Sequence, residues 1–131
     1  MHEWLAGAEE DLRAAAGILG LEDPPLTSTS FHAQQAAEKA IKAMLTRFEV
    51  PVDKTHDLGA LLASAESVSR GIGTLLAGVE VLTPFAVSGR YPGGPKPLAE
   101  AAARHVALAR RTTEVVRAAL QTYLDSEPSA T

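Results

Sequence analysis

The sequence predicts an all-α protein: a mainly up-and-down bundle of four to five helices with a long C-terminal helix. Three observations predict it. Apolar residues recur at steps of three and four in every long segment. Ala and Leu dominate the composition, and both favour helix. Gly and Pro clusters punctuate the chain, while no alternating segment flanked by hairpin turns appears, so no sheet is predicted.

The first helix should run from about His2 to Leu19, with Trp4, Ala8, Leu12, Ala15 and Leu19 on one face and Glu9, Glu10, Asp11 and Arg13 turned outward. Gly20 and Pro24-Pro25 stop it. After the linker LEDPPLTSTS, Ser28, Thr29 or Ser30 can cap a second helix reaching Phe48. Pro51 breaks the chain there. Thr55 or Asp57 can cap a third helix carrying Leu58, Leu61, Leu62 and Ala65. SVSRGIG is another break. A fourth helix carries Leu75, Leu76, Val79, Leu82 and Phe85, and Pro84 should kink or shorten it. The run from Ser88 to Pro97 excludes regular structure. Pro97 suits the first turn of the last helix, whose face reads Leu98, Ala102, Ala109, Val116, Ala119, Leu120 and Tyr123. His105 and Thr112 fall on that same apolar face. A histidine so placed reads as a satisfied core residue or as a buried member of a proton-handling site.

At 131 residues the chain fits one domain, residues 1–125, with 126–131 as a frayed tail. Without cysteine it has no disulfide, no thiolate zinc site and no Cys nucleophile. Its start is acidic and unlike a signal peptide, and no apolar run is long enough to span a membrane. The expectation is a cytoplasmic protein with no membrane partner. A net charge of −4 weighs against general nucleic-acid binding, and no DNA partner is predicted. The charge is uneven: residues 1–25 are acidic, and Arg90, Lys96, Arg104, Arg110, Arg111 and Arg117 make the later part basic. Oppositely charged helices packed side by side would explain this, as would a local surface for a phosphate-bearing ligand.

The second helix carries the densest polar constellation. On a helical wheel Ala33, Ala37, Ala40, Ile41, Met44, Leu45 and Phe48 form an apolar face, and His32, Gln35, Lys39, Lys42 and Thr46 the opposite one. Glu38 lies at the boundary and can pair with Lys42 four residues on. Gln34 falls among the apolar residues. A buried amide without partners costs about 1–3 kcal/mol, so something polar should meet it. His56 sits at the start of the third helix, where free N–H groups suit anions. Arg90 and Tyr91 lead into the Pro-Gly loop, Arg suited to phosphate or carboxylate and Tyr to stacking on a base. Each feature has a plain structural reading too: a solvated face, a capping turn, an Arg–Glu clamp.

Three stretches in this order, WLAGAEEDLRAA, FHAQQAAEKAIKAML followed by THDL, and RYP at Arg90 to Pro92, resemble the HEPN family (higher eukaryotes and prokaryotes nucleotide-binding domains) over nearly the whole chain. The resemblance implies a helical bundle, commonly dimeric, often accompanied by a small nucleotidyltransferase and often part of a toxin–antitoxin pair. It implicates His32, Gln35, Glu38, Lys39, Lys42, His56, Asp57, Arg90 and Tyr91 in a groove that contacts a nucleotide or a dimer partner. One departure matters. Ribonuclease members share an Arg followed by His after four to six intervening residues, and none of His2, His32, His56 or His105 is so preceded. Nor does the chain have the Gly-Ser loop and paired aspartates of a nucleotidyltransferase.

The sequence therefore points to a non-enzymatic module with no cofactor and no metal. It would form a homodimer and bind a nucleotide ligand or a nucleotidyltransferase partner. A ribonuclease toxin with a displaced active site, using Arg90 with His56 or His105, is one alternative. A purely structural dimerisation bundle is the other.

Overall fold

The computed structural model describes residues 1–52, 54–87 and 96–126. Arg90, Tyr91 and residues 127–131 of the expected tail lie outside the described residues. Every regular element among the described residues is a helix: α1 (His2–Leu19), α2 (Leu26–Arg47), α3 (Leu58–Glu66), a single turn α4 (Ile72–Leu75), a 3₁₀ segment (Val79–Val87) and α5 (Ala99–Ser126). None of these helices is long and apolar enough to cross a membrane.

Helix α2 is the axis of the bundle. It packs against α1, α3, the 3₁₀ segment and α5. Its alanines at 33, 36, 37, 40 and 43 are fully buried, because a methyl side chain lets a neighbouring helix approach on each side. Ile41, Met44 and Leu45 join Leu5, Leu58, Leu82, Val116 and Leu120 in the core. Each such leucine contributes about 2 kcal/mol through burial.

α1 spans the predicted residues. α2 begins earlier than predicted, at Leu26, with Pro25 as its N-cap rather than Ser28, Thr29 or Ser30. Those hydroxyls lie inside the first turns, where Thr29 Oγ1 donates back to the Pro25 carbonyl at 3.4 Å and Ser30 reaches α5. α2 ends in a Schellman turn, with Glu49 N–H on the Thr46 carbonyl at 3.1 Å and Val50 N–H on the Leu45 carbonyl at 2.9 Å. Glu49 takes the left-handed position at φ 57° that glycine usually fills.

Asp57 caps α3 as anticipated, its Oδ1 accepting Ala60 N–H at 3.2 Å. The predicted fourth helix divides into α4 and the 3₁₀ segment that contains Pro84. Glu66 closes the turn between α3 and α4 by accepting the Gly71 and Gly73 N–H groups at 2.7 and 2.9 Å, and these bonds hold its carboxyl below the usual range. α5 begins two residues after Pro97, so this proline precedes the first turn, and Leu98 is exposed rather than on the apolar face. The acidic start and basic end of the chain do pack side by side, with Arg117 of α5 paired to Glu9 of α1.

Candidate functional site

The polar residues of α2 lie along a seam, not on an outer face. Because α1 runs antiparallel beside α2, its residues at steps of three and four meet those of α2 in reverse order. Trp4 lies beneath the Lys42 ammonium, 5.7 Å from ring centre to Nζ. Gly7 leaves room for the Lys39 stem, whose Cδ would stand 3.2 Å from a Cβ added there. Asp11 then receives two donors, Lys39 Nζ at 2.6 Å and His32 Nδ1 at 2.8 Å. The sequence reading turned Asp11 outward. Its side chain is only 12 % exposed, and it accepts from both Lys39 and His32.

The other end is organised by Glu38. Its Oε1 accepts Gln34 Nε2 at 2.9 Å and His56 Nδ1 at 2.7 Å, and its Oε2 accepts Lys42 Nζ at 3.0 Å. Gln35 Nε2 extends the chain by donating to Gln34 Oε1 at 2.6 Å. The expected partner of buried Gln34 is thus Glu38 on one side and Gln35 on the other. Burial opposes ionisation of Glu38, but the bonds from Gln34, His56 and Lys42, with the Lys42 charge, outweigh it and hold the carboxyl below its ordinary range.

Lys42 corrects the sequence reading most. The helical wheel puts it on the outer face, yet its side chain is 7 % exposed against 5 % for Glu38. The wheel assumed one wet face, whereas a central helix has neighbours nearly all round. Lys39 keeps 31 % exposure, His32 is similar, and His56 reaches 52 %. The seam therefore shows solvent Lys39, His32, Gln35 and His56, each held by a hydrogen bond to the Asp11 or the Glu38 network.

Three local bonds aim His56. Thr55 Oγ1 accepts Asp57 N–H at 3.1 Å, Asp57 caps α3, and Thr83 Oγ1 of the 3₁₀ segment accepts Leu58 N–H at 3.1 Å. Asp57 has a capping role, its Oδ1 accepting Ala60 N–H. Two of the first three N–H groups of α3, those of Leu58 and Ala60, are taken by Thr83 Oγ1 and Asp57 Oδ1. Arg90 and Tyr91, the remaining predicted members, lie outside the described residues.

A second polar pair was legible only as a histidine on an apolar face. Ser30 Oγ and His105 Nδ1 lie 2.7 Å apart and share one hydrogen bond, with the Phe85 ring 4.8 Å from the imidazole. Burial, and then the nearby Arg104 charge, favour neutral His105 and move it below its ordinary range. His105 is thus a satisfied core residue on one edge, while its ring also lines a groove with Val81, Arg104 and Arg111.

Among the described residues no group of three or more acidic or histidine side chains is arranged to hold a metal ion. No curated protein and no solved structure matches the chain significantly. The family model for the HEPN domain matches residues 1–120. That match spans both the Asp11 and the Glu38 ends of the seam, and the chain belongs to the HEPN domain family.

Proposed function

We propose that this protein is a non-catalytic HEPN module that forms a homodimer and uses the α1–α2 seam to bind a nucleotide, delivered by or shared with a nucleotidyltransferase partner of a toxin–antitoxin pair. One observation carries the reading: the Glu38 network, which commits buried polar groups to holding Gln35 and His56 at the surface beside Lys39 and His32. A bundle needs no such network for stability, since apolar side chains of similar volume serve as well or better. Lys39 is the cation a phosphate would meet, His32 and His56 flank it, and Gln35 offers an amide to a base. Lys42 is the positioning residue that keeps Glu38 ionised, not a phosphate contact.

Calorimetry of the purified chain with ATP, GTP and their monophosphates tests the ligand half. Saturable binding that weakens in Lys39→Gln and His56→Gln supports it. No heat at millimolar nucleotide removes it and leaves the partner role. Co-purification from the native cell then tests that role, and recovery of the chain alone would reduce the protein to a dimerisation bundle.

A further inference from the structure

Exposed large apolar side chains are few among the described residues, and their placement is uneven. Leu75, Val81, Val87 and Leu98 lie around the 3₁₀ segment and the start of α5, while Leu21 stands apart in the α1–α2 linker. Val81 of this group lines a groove of about 530 Å³ together with Arg104, His105, Ala107, Leu108 and Arg111. On α5, Arg104, Leu108 and Arg111 follow a stripe of i, i+4, i+7, which sets the two arginines about 10.5 Å apart on one side with an apolar floor between them. Arg111 is fixed by its Nε bond to the Leu75 carbonyl at 3.0 Å. Among the described residues neither arginine has a carboxylate partner.

The linker offers the complementary shape and charge. Leu21 is 56 % exposed, so it does not fill the groove of its own molecule, and exposed Glu22 and Asp23 follow it directly. The Leu21 N–H donates to the Ile18 carbonyl at 3.1 Å, which continues the last turn of α1 into the linker. An exposed leucine followed by two acids matches an apolar groove flanked by two arginines. Both features also sit at one end of the bundle, because the Ser30–His105 bond ties the start of α2, just past the linker, to the early turns of α5.

We infer that Leu21 of one copy seats in the Val81–Leu108 groove of a second copy, with Glu22 and Asp23 against Arg104 and Arg111. A knob and a groove at the same end allow a two-fold arrangement in which each copy gives its knob to the other. The inference deepens the homodimer part of the proposed function and rests on it.

Charge reversal tests the pairing in the full chain. Glu22→Arg with Asp23→Arg sets like charges against the groove, and so does Arg104→Glu with Arg111→Glu, so each double variant alone should dimerise at least about tenfold more weakly. An equimolar mixture of the two restores opposite charges at both contacts, and sedimentation should show dimer recovered to within about threefold of the wild type. Leu21→Ser, at an exposed position, should weaken the dimer with the melting temperature of the monomer unchanged. A wild-type dimer that tolerates Leu21→Ser and both reversals overturns this interface and leaves the homodimer reading standing. A mixture no more associated than its components also overturns it. A wild-type chain that is monomeric at millimolar concentration ends both readings.

Discussion

His56 Nδ1 donates to Glu38 Oε1 at 2.7 Å, joining the middle of α2 to the residue two before α3. The bond unites the two halves of the sequence signature, FHAQQAAEKAIKAML and THDL, in one network. It explains why a glutamate is buried on the central helix of the bundle, among Ala37, Ala40 and Ile41. Glu38 holds Gln34, Lys42 and His56 together, and those three leave it fully bonded.

Glu38→Gln should be costly. The amide keeps the shape but leaves the Lys42 ammonium buried without its counter-charge, which costs about 3 kcal/mol. Urea denaturation measures this as a lower midpoint at unchanged slope. Adding Lys42→Met should recover most of the loss, since the unpaired charge is then gone. A Glu38→Gln protein as stable as the wild type would mean that Lys42 escapes to water at little cost.

Stability should fall in acid through this same carboxylate. Glu38 titrates below its ordinary value of 4.5 in the folded state and near that value when unfolded. The unfolded chain therefore binds the proton first, so the stability from this group is complete above 4.5 and is lost as pH falls from there through the folded value. Urea midpoints between about pH 6 and about pH 3 should drop more steeply for the wild type than for Glu38→Gln. Parallel profiles would assign the acid sensitivity to other carboxylates.

Glu49→Gly should stabilise the protein. Glu49 holds a left-handed φ of 57° at the end of α2, a conformation that costs an L residue about 1–2 kcal/mol. Glycine removes that strain and brings back about 0.5–1 kcal/mol of chain entropy to be lost on folding. The balance is a gain of about 0.5–1 kcal/mol, read as a raised melting temperature. No gain would indicate that the glutamate side chain supports the turn.

How far the sequence revealed the site follows from which helices have a wet face. α1 does, so periodicity between its polar start and Gly20 gave both of its ends. α2 does not: with small alanines at 33, 36, 37, 40 and 43, neighbours close around it, and the wheel's two-faced assumption fails for Lys42. Gln34 was legible because a polar residue among apolar ones must find a partner wherever the helix packs. Asp11 was not, since one acid in an acidic stretch carries no sign of its direction. The usable signal was the step Trp4, Gly7, Asp11 on α1, running against Lys42, Lys39 and His32 on α2. The break of the fourth helix into α4 and the 3₁₀ segment was foreshadowed by Pro84, but its position depends on how Leu76, Val79 and Leu82 reach the core.

Asp11→Asn should tighten nucleotide binding. Asp11 Oδ2 holds Lys39 Nζ at 2.6 Å and Oδ1 holds His32 at 2.8 Å, so a phosphate arriving at the seam competes with this carboxylate for both donors. Asparagine removes the negative charge while keeping a hydrogen-bond acceptor. Lys39 is 31 % exposed, so the screened pair is worth up to about 1 kcal/mol, and affinity for ATP should rise by about threefold to fivefold. The gain should shrink as salt is added, because the released attraction is electrostatic. Glu10→Gln removes the same charge from the exposed side of α1 and should change affinity much less. Calorimetry at two ionic strengths separates the outcomes. Binding that is unchanged or weaker in Asp11→Asn would show that phosphate does not meet Lys39, and the nucleotide would have to lie elsewhere than along this seam.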